Sequence, residues 1–309
     1  MIQNDFIYVN FLVFRFSKSQ VLVPMGYSVL DIRPVTCSHN FTAIISTSSN
    51  IVSSTSPIFR LIKNIASSAN VSEIVVLWNS QVKPPPIKDW AFLGGISSSP
   101  PISVVESKNS NISTRFLQSS LVSTNAVLSL DDDVTLTTDE INFAFEVWGS
   151  FEERIVGFPA RNHYWDDGKK MWAYTSKWSN EYSIVLTNAA FFHKKYAKLY
   201  LENLPRSLAS TTESYKGCEH ILFNFLVSHV TKRPPIKVTQ RKKYKDAIAQ
   251  RDVLVEAENF SQKQTCINIF FSGFGYMPLI KSQLRLDPVL FKDPVSNLRK
   301  KFRKIELVQ

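Results

Sequence analysis

The sequence has few cysteines, few glycines and no long hydrophobic run, and each shortage excludes a class of protein. Three cysteines in 309 residues exclude a zinc cluster and a scaffold held by many disulfides. Nine glycines, set against 12% aromatic residues, exclude a low-complexity chain. The most apolar N-terminal run, residues 6–14, is far shorter than the roughly 20 residues of a membrane-spanning helix. We therefore expect a globular chain without a visible membrane anchor or signal peptide.

Basic residues outnumber acidic ones, which gives a formal net charge of +10 and an isoelectric point near 9.4. Such a charge favours an anionic partner, and nucleic acid, an acidic membrane and an acidic polysaccharide all meet that description. The basic residues concentrate at 232–245 and 299–304, away from any aromatic nucleic-acid-binding motif or zinc-finger spacing. Nucleic acid is therefore not an expected partner, and a solvated basic face is the plain structural alternative.

Four short apolar runs alternate with segments of helical character through the first half of the chain. The runs are Phe41–Thr47, residues 73–79, Ile102–Glu106 and Ala126–Asp131. Residues 57–69 form the clearest helical segment between two of them. This alternation predicts the α/β class with a Rossmann-like, mostly parallel sheet that has helices on both faces. We assign residues 40–309 to one domain, because no linker rich in Gly, Ser or Pro divides them, and leave residues 1–39 unassigned.

A helix is predicted directly after the fourth apolar run. Thr137 and Glu140 have capping-box spacing, so the helix should begin at Thr138. The apolar positions that follow at helical spacing are Ile141, Ala144, Phe145 and Trp148. We interpret this stripe as part of the core. In the second half, the apolar run 183–192 precedes two predicted helices, which are residues 194–201 and 219–230.

Three adjacent aspartates, Asp131, Asp132 and Asp133, end the fourth apolar run and carry the clearest chemistry in the sequence. In open α/β sheets, ligands bind at the carboxyl ends of the strands. Adjacent carboxylates repel one another unless a cation neutralises them, and the first and third can both reach a hard divalent ion that in turn holds a diphosphate. The alternative is an acidic turn that interacts with the dipole of the following helix.

Several long blocks of this sequence resemble a known family. They are LSLDDDVTLTTDEINFAFEVWGSFEERIVGFPARNHYWDD, YTSKWSNEYSIVLTNAAFFHKKYAKLY, NFLVSHVTKRPPIKVTQRKKYKD and FGYMPLIKSQLRLDPVLFKD. They are similar to the C-terminal glycosyltransferase domain of the exostosin family, glycosyltransferase family 64, over residues 41–307. The resemblance implies a GT-A fold and transfer of N-acetylglucosamine from UDP-N-acetylglucosamine (UDP-GlcNAc), with retention, onto glucuronic acid in heparan sulfate. It also implies assembly with another exostosin and a place in the lumen of the endoplasmic reticulum or Golgi.

The same resemblance implies roles for single residues. Asp131 and Asp133 match the Asp-x-Asp motif of the family and would bind Mn²⁺ or Mg²⁺ against the diphosphate, and Asp132 between them is expected to contact the donor substrate. Asn79 matches the segment that meets the nucleotide, and Arg115 matches an arginine near the donor, where a guanidinium suits a phosphate oxygen. The structural alternatives are that Asn79 caps a strand-to-helix turn and that Arg115 is an ordinary surface residue.

Cys218 and Cys266 match two cysteines that form a disulfide in this family, which agrees with a secretory lumen and leaves Cys37 as the odd thiol. The alternative is a pair of buried reduced thiols. N-glycosylation sequons add little to this argument, because a chain rich in Ser and Thr holds about this many by chance. They begin at Asn40, Asn70, Asn111 and Asn259.

Departures from the family cluster near the expected catalytic centre. Where the family has Asn-Cys-Asp/Glu-Asp, this chain has Gly-Cys-Glu-His, so Glu219 remains as a catalytic carboxylate while His220 supplies no negative charge to an oxocarbenium-like state. Lys263 stands where the family prefers arginine and keeps the charge of a phosphate contact without its planar fork. Asn188 stands where the family prefers glycine.

Three hypotheses about function follow from these observations. The first is an active transferase in which Glu219 and the metal provide most of the stabilisation. The second is a weak or inactive exostosin-like subunit that stabilises or positions an active partner in a heparan sulfate polymerase complex. The third is a module that binds anionic polymers through its basic segments and does not need Asp131 or Asp133.

Overall fold

In the computed structural model of the chain, the described residues are 39–47, 56–80, 83–85, 90, 100–106, 114–117, 122–177, 179–215, 217–240 and 253–288. The unassigned segment 1–39 falls outside this part of the chain except for its last residue, and so do Cys37, Asn111 and the basic segment 299–304. The assignment of residues 40–309 to one domain stays a prediction.

An eight-stranded sheet forms the centre of the molecule. Its strands, in order across the sheet, are β11 (Arg285–Leu286), β10 (Ile236–Val238), β5 (Val156–Gly157), β9 (Ala189–His193), β4 (Ala126–Asp131), β1 (Phe41–Thr47), β2 (Val71–Trp78) and β3 (Ile102–Glu106). Within the described residues, neighbouring strands pair in parallel except at β9, which runs antiparallel to both β4 and β5. The predicted mostly parallel sheet is therefore confirmed.

A smaller sheet and seven helices make up the rest of the regular structure in the described ranges. The small sheet places β6 (Ala160–Asp166) between β7 (Met171–Thr175) and β8 (Ile184–Val185). The helices are α1 (Pro57–Ala66), α2 (Thr114–Leu117), α3 (Thr138–Ser150), α4 (Lys194–Glu202), α5 (Arg206–Ser214), α6 (Cys218–Thr231) and α7 (Val253–Phe274). The predicted apolar run 183–192 divides into β8, a turn and β9.

Helices cover both faces of the central sheet, so each face has its own hydrophobic core. Along β1, Ile44 faces a core that includes residues of α4 and α6, whereas Ala43 and Ile45 face a core that includes residues of α1 and α3. All seven residues of β1 are buried. A strand buried on both faces has no side that faces water, which explains why β1 contains no charged residue. The predicted α/β class with helices on both faces is confirmed.

The start of α3 agrees with the sequence prediction in detail. The Thr137 side chain accepts a hydrogen bond from the Glu140 amide, and the Glu140 carboxylate accepts one from the Thr137 amide. This capping box starts the helix at Thr138, as predicted. The apolar stripe of α3 is buried at all four predicted positions, which confirms that it is core. The helix sets the direction in which the chain leaves the turn at residues 131–133, which is called the acidic turn below.

Candidate functional site

The order of the strands reverses between β1 and β4. From β1 the chain adds β2 and β3 on one side and then returns to place β4 on the other side. In an open α/β sheet, such a reversal marks the place where ligands bind, so we expect a crevice at the carboxyl ends of β1 and β4. Asp131 is the last residue of β4 and lies opposite Ser46 of β1, so the acidic turn opens onto this crevice.

Hydrogen bonds connect the acidic turn to the end of β1, and the end of β2 joins the same edge. The Asp132 amide donates to the Ser46 carbonyl over 3.2 Å, and the Thr47 hydroxyl donates to Asp132 Oδ2 over 2.5 Å. Asn79, directly after β2, joins the same edge because its side-chain amide donates to Ser46 Oγ over 3.4 Å. Asp133 is exposed. The turn is thus anchored through its middle residue, and its third aspartate is exposed.

Arg115 lies buried beside the acidic turn, with 3% of its surface exposed. Its Nη2 lies 2.8 Å from Asp131 Oδ1 and 4.0 Å from Glu219 Oε1, and its Nη1 donates to the Thr187 carbonyl over 3.3 Å. Burial lowers the pKa of Arg115, but the two carboxylates outweigh it and raise the pKa above its ordinary value. The burial excludes the alternative of an ordinary surface residue and makes Arg115 a fixed cation between two acids.

Glu219 and His220 lie in the first turn of α6, and both are buried. Burial raises the pKa of Glu219, Arg115 offsets part of that rise, and Asp131 adds to it by repulsion. Burial, with help from nearby cations, lowers the pKa of His220 well below its ordinary value. The imidazole is therefore neutral at physiological pH, and Arg115 carries the positive charge that faces Glu219.

The neutral imidazole of His220 lies between Glu219 and Thr187. Its Nε2 lies 3.4 Å from Glu219 Oε1, and its Nδ1 lies 2.6 Å from the Thr187 hydroxyl. A neutral ring is most stable with its single proton on the nitrogen that faces the carboxylate, so Nδ1 accepts from Thr187. Within the described residues, Glu219 Oε2 has no hydrogen-bond partner. A buried carboxylate oxygen without a partner is costly and is typical of a functional site.

We expect the free energy of unfolding to fall as the pH drops below about 6.5, because unfolded histidines gain protons there and the buried native ones do not. Burial lowers the native pKa of His220, and it lowers those of His163, His193 and His229 to about 4. His220→Gln should remove about a quarter of this pH dependence. Urea unfolding between pH 7.5 and 5.5 measures the slope, with His229→Gln as the matched variant outside the site. An unchanged slope in His220→Gln would mean that His220 binds protons equally in the folded and unfolded chains, which would contradict the lowered pKa.

Gly217 and Lys263 pack together at the start of α6. Gly217 has a φ of 81°, in the left-handed region that favours glycine, and a Cβ there would lie 2.9 Å from Lys263 Cε. Lys263 Nζ lies 5.8 Å from the centre of the Tyr174 ring. The predicted disulfide between Cys218 and Cys266 is present and joins α6 to α7. It therefore holds Lys263 beside the first turn of α6, where the charge of Lys263 lowers the pKa of Glu219.

The chemistry of the acidic turn suits a hard divalent cation. In the described ranges, no cluster of three or more His, Cys, Asp or Glu side chains could hold a metal ion by itself. An ion such as Mg²⁺ needs less than that, because it keeps several waters and binds through one or two carboxylates together with substrate phosphates. The Asp131 side chain is 30% exposed and Asp133 is exposed, so carboxylates of both could reach such an ion.

The structure brings most of the sequence-predicted site residues to one crevice. The residues near it are Asn79, Arg115, Asp131, Asp132, Asp133, Glu219 and His220, with Lys263 at its margin. Sequence reasoning missed Ser46, Thr47 and Thr187. The two β1 residues could have been found from the rule that parallel strands end at one edge. Thr187 gave no such signal, because it lies in the turn between β8 and β9 and its contacts are with α2 and α6, which are distant in sequence.

Comparison with known sequences places this arrangement in a family. The Glycosyl transferase family 64 domain matches residues 41–291. Exostosin-1a of Danio rerio is 49% identical over 288 residues, which are 92% of this chain and 38% of that protein. Exostosin-1 of Bos taurus is also 49% identical over 288 residues, covering 92% of this chain and 37% of that protein. This chain therefore spans less than two fifths of the length of these relatives.

A solved structure of GalNAc-T7 with UDP, GalNAc and Mn²⁺ aligns with a TM-score of 0.42 and 7% sequence identity, over 62% of this chain and 40% of that one. None of the helices in the described part of the chain is both long enough and apolar enough to cross a membrane.

Proposed function

Since this chain belongs to glycosyltransferase family 64, we propose that it is a retaining transferase that moves N-acetylglucosamine from UDP-GlcNAc to a glucuronic acid at the end of a heparan sulfate chain. The observation that carries the proposal is the acidic turn Asp131–Asp133, anchored at the strand-order reversal next to the buried Arg115 and Glu219. A donor that carries a diphosphate and a sugar needs an acidic turn for the diphosphate and a buried carboxylate for the sugar within one crevice.

The acidic turn is the proposed place for the diphosphate of the donor. Asp131 and Asp133 would hold Mn²⁺ or Mg²⁺, and the ion supplies positive charge that neutralises the leaving diphosphate. Asp132 and Asn79 define the nucleotide side of the crevice, since both are hydrogen-bonded to β1. Lys263 is the proposed second cation for a phosphate oxygen, as a point charge rather than a bidentate fork.

Glu219 is the proposed carboxylate for the developing positive charge on the donor sugar. It is buried, so a negative charge on it would be weakly solvated and would act strongly on a nearby cationic centre. Arg115 lowers the pKa of Glu219 and so favours its ionised form, and in this proposal His220 orients Glu219 through Nε2, which lies 3.4 Å from Oε1. His220 is thus a positioning residue in this proposal and does not take the place of a second acid.

The proposed surroundings of the reaction follow from the family. We place the chain in the lumen of the endoplasmic reticulum or Golgi, as a homo-oligomer or in association with another exostosin. The Cys218–Cys266 disulfide supports an oxidising compartment, because disulfides are rare in the reducing cytosol. The net charge of +10 supports an acidic glycan as the acceptor.

The proposed function is tested by measuring the transfer of N-acetylglucosamine to an acceptor. The full chain is incubated with UDP-GlcNAc, Mn²⁺ and an oligosaccharide that ends in glucuronic acid, and the product is read by mass. We expect a product longer by one N-acetylhexosamine and sensitive to enzymes specific for the α linkage. A chain that binds UDP but yields no product with this acceptor would contradict the proposal.

A second function is favoured by the neutral, buried histidine at position 220. In that alternative the chain keeps the fold and the donor site but acts as a weak or inactive subunit that positions an active exostosin. Copurification with a second exostosin, together with donor binding and no turnover by this chain alone, is its signature. A monomer with ordinary transferase activity would exclude it.

His220→Asp separates the two functions. In the transferase we expect a change of less than about tenfold in turnover, because two adjacent buried carboxylates repel each other and one of them takes up a proton, so little negative charge is gained. In an inactive subunit the same change would raise turnover by about a hundredfold or more. The product-mass assay measures both outcomes, and His220→Asn is the control that changes the side chain without adding a carboxyl group.

A further inference from the structure

The sequon Asn40-Phe41-Thr42 lies at the amino end of β1 and has no part in the proposed site. Asn40 is exposed and sits directly before the first residue of the strand, whereas Phe41 and Thr42 are buried. An N-glycan needs an acceptor asparagine on the surface of a protein that has passed through the secretory pathway. The fold meets the first requirement at Asn40, and the Cys218–Cys266 disulfide agrees with the second.

The position of Asn40 keeps a bulky modification away from the crevice. The seven residues of β1 separate Asn40 from the carboxyl end of the strand, a distance of about 20 Å at the rise of an extended chain. The acidic turn lies at that far end. A glycan on Asn40 would therefore stand at the opposite pole of the sheet and leave the donor site open.

The sequon hydroxyl becomes inaccessible once the sheet has formed. Thr42 Oγ1 is buried, donates to Glu73 Oε1 over 2.9 Å and lies 2.8 Å from Thr124 Oγ1. Recognition of the sequon must therefore come before β1 enters the sheet, which is the order expected for modification of a nascent chain. After folding, only the exposed Asn40 has to accommodate the glycan, so the fold and the modification are compatible.

We propose that Asn40 is an N-glycosylation site of this protein. A lipid-linked oligosaccharide diphosphate is the co-substrate. The Asn40 side-chain nitrogen forms a bond to C1 of the first sugar and loses one proton, while the bond between C1 and the phosphate oxygen breaks and the lipid diphosphate leaves. The proposal rests on the luminal location given under the proposed function, but it does not depend on transferase activity.

Asn70, the first residue of a second sequon, lies at the same pole and provides a matched comparison. The Phe41 amide donates to the Asn70 carbonyl over 2.9 Å, so the two asparagines are neighbours. Asn70 is half-buried, whereas Asn40 is exposed. The Asn70 side-chain nitrogen donates to the His39 carbonyl over 2.9 Å. A glycan on that nitrogen would crowd this contact. The geometry therefore favours Asn40 over Asn70.

The experiment uses the full chain behind a cleavable signal peptide, secreted from cultured cells, so that entry into the lumen is not in question. Peptide N-glycosidase converts a modified asparagine to aspartate, and peptide masses then identify the site. We expect Asn40 to be modified and Asn40→Gln to lack that glycan, whereas Asn70→Gln keeps it. Asn40→Gln should bind UDP as the parent does, because it lies at the far pole.

An unmodified Asn40 in the secreted chain would overturn the proposal, and so would a glycan found on Asn70 in place of Asn40. These results leave the transferase proposal untouched, since the readout is mass and not turnover. Conversely, a secreted chain with a glycan on Asn40 but no transfer activity would contradict the proposed function alone. Thr42→Ser keeps the sequon and should keep the glycan, which checks that the motif rather than a neighbouring feature directs the modification.

Discussion

Asp133→Asn is expected to weaken Mn²⁺-dependent binding of UDP by at least about a hundredfold, more than the tenfold to hundredfold that follows loss of an outer-shell partner of a metal ligand. The change removes one of the two carboxylates proposed to hold the ion that bridges to the diphosphate. Asp133 is exposed, so its replacement should leave the stability of the fold within about 0.5 kcal/mol. Calorimetric titration with UDP at saturating Mn²⁺ measures the loss.

Asp131→Asn should produce a loss of the same order, with some destabilisation because it removes the partner of Arg115. The control is Asp167→Asn, which neutralises a carboxylate that is 86% exposed in a turn away from the crevice. Thermal unfolding of each variant separates a binding defect from a folding defect. If the Asp133 variant bound UDP as tightly as the parent in Mn²⁺, the acidic turn would be a structural feature and not a metal site.

Arg115→Met is expected to lower the free energy of unfolding by about 3 kcal/mol, because it leaves Glu219 buried without its cation. The native structure can recover part of this loss when Glu219 takes up a proton, since burial already raises the pKa of this carboxyl group. Urea unfolding at pH 7 measures the cost. The same variant should lose UDP binding, since Arg115 is also the buried cation nearest the acidic turn.

The double variant Arg115→Met, Glu219→Gln tests the electrostatic cause of this cost. Removing the second charge should recover more than half of the lost stability, whereas a packing defect would remain. Arg233→Met is the matched control, because Arg233 pairs with Glu153 over 2.9 Å but is 61% exposed, and such pairs contribute less than about 1 kcal/mol. Equal losses from Arg115→Met and Arg233→Met would refute the account of Arg115 as a buried link between two acids.

The sheet and the acidic turn could be predicted from the sequence because local pattern determines them. Strands buried on both faces read as continuous apolar runs, and Thr137 and Glu140 fix the start of α3 through their own hydrogen bonds. The position of Asp131 at the carboxyl end of β4 follows from the same reasoning.

The inner part of the site could not be predicted in the same way. Arg115 contacts Thr187, which is 72 positions away, and Thr187 contacts His220, which is 33 positions away. The packing of α2 and α6 against the sheet determines the burial of these residues. It also determines the neutral state of His220 and the contact of His220 with Glu219. The sequence indicated that a carboxylate had been replaced by histidine, but only the packing shows which groups the imidazole contacts.

The most direct test of a metal-dependent donor site is calorimetric titration of the unmodified chain with UDP, in Mn²⁺ and in chelator. The account predicts saturable binding to one site in Mn²⁺ and a loss of at least about tenfold in affinity when the ion is removed. Equal affinity in both conditions, or no binding in either, would contradict the assignment of the crevice at β1 and β4 as a nucleotide-sugar site.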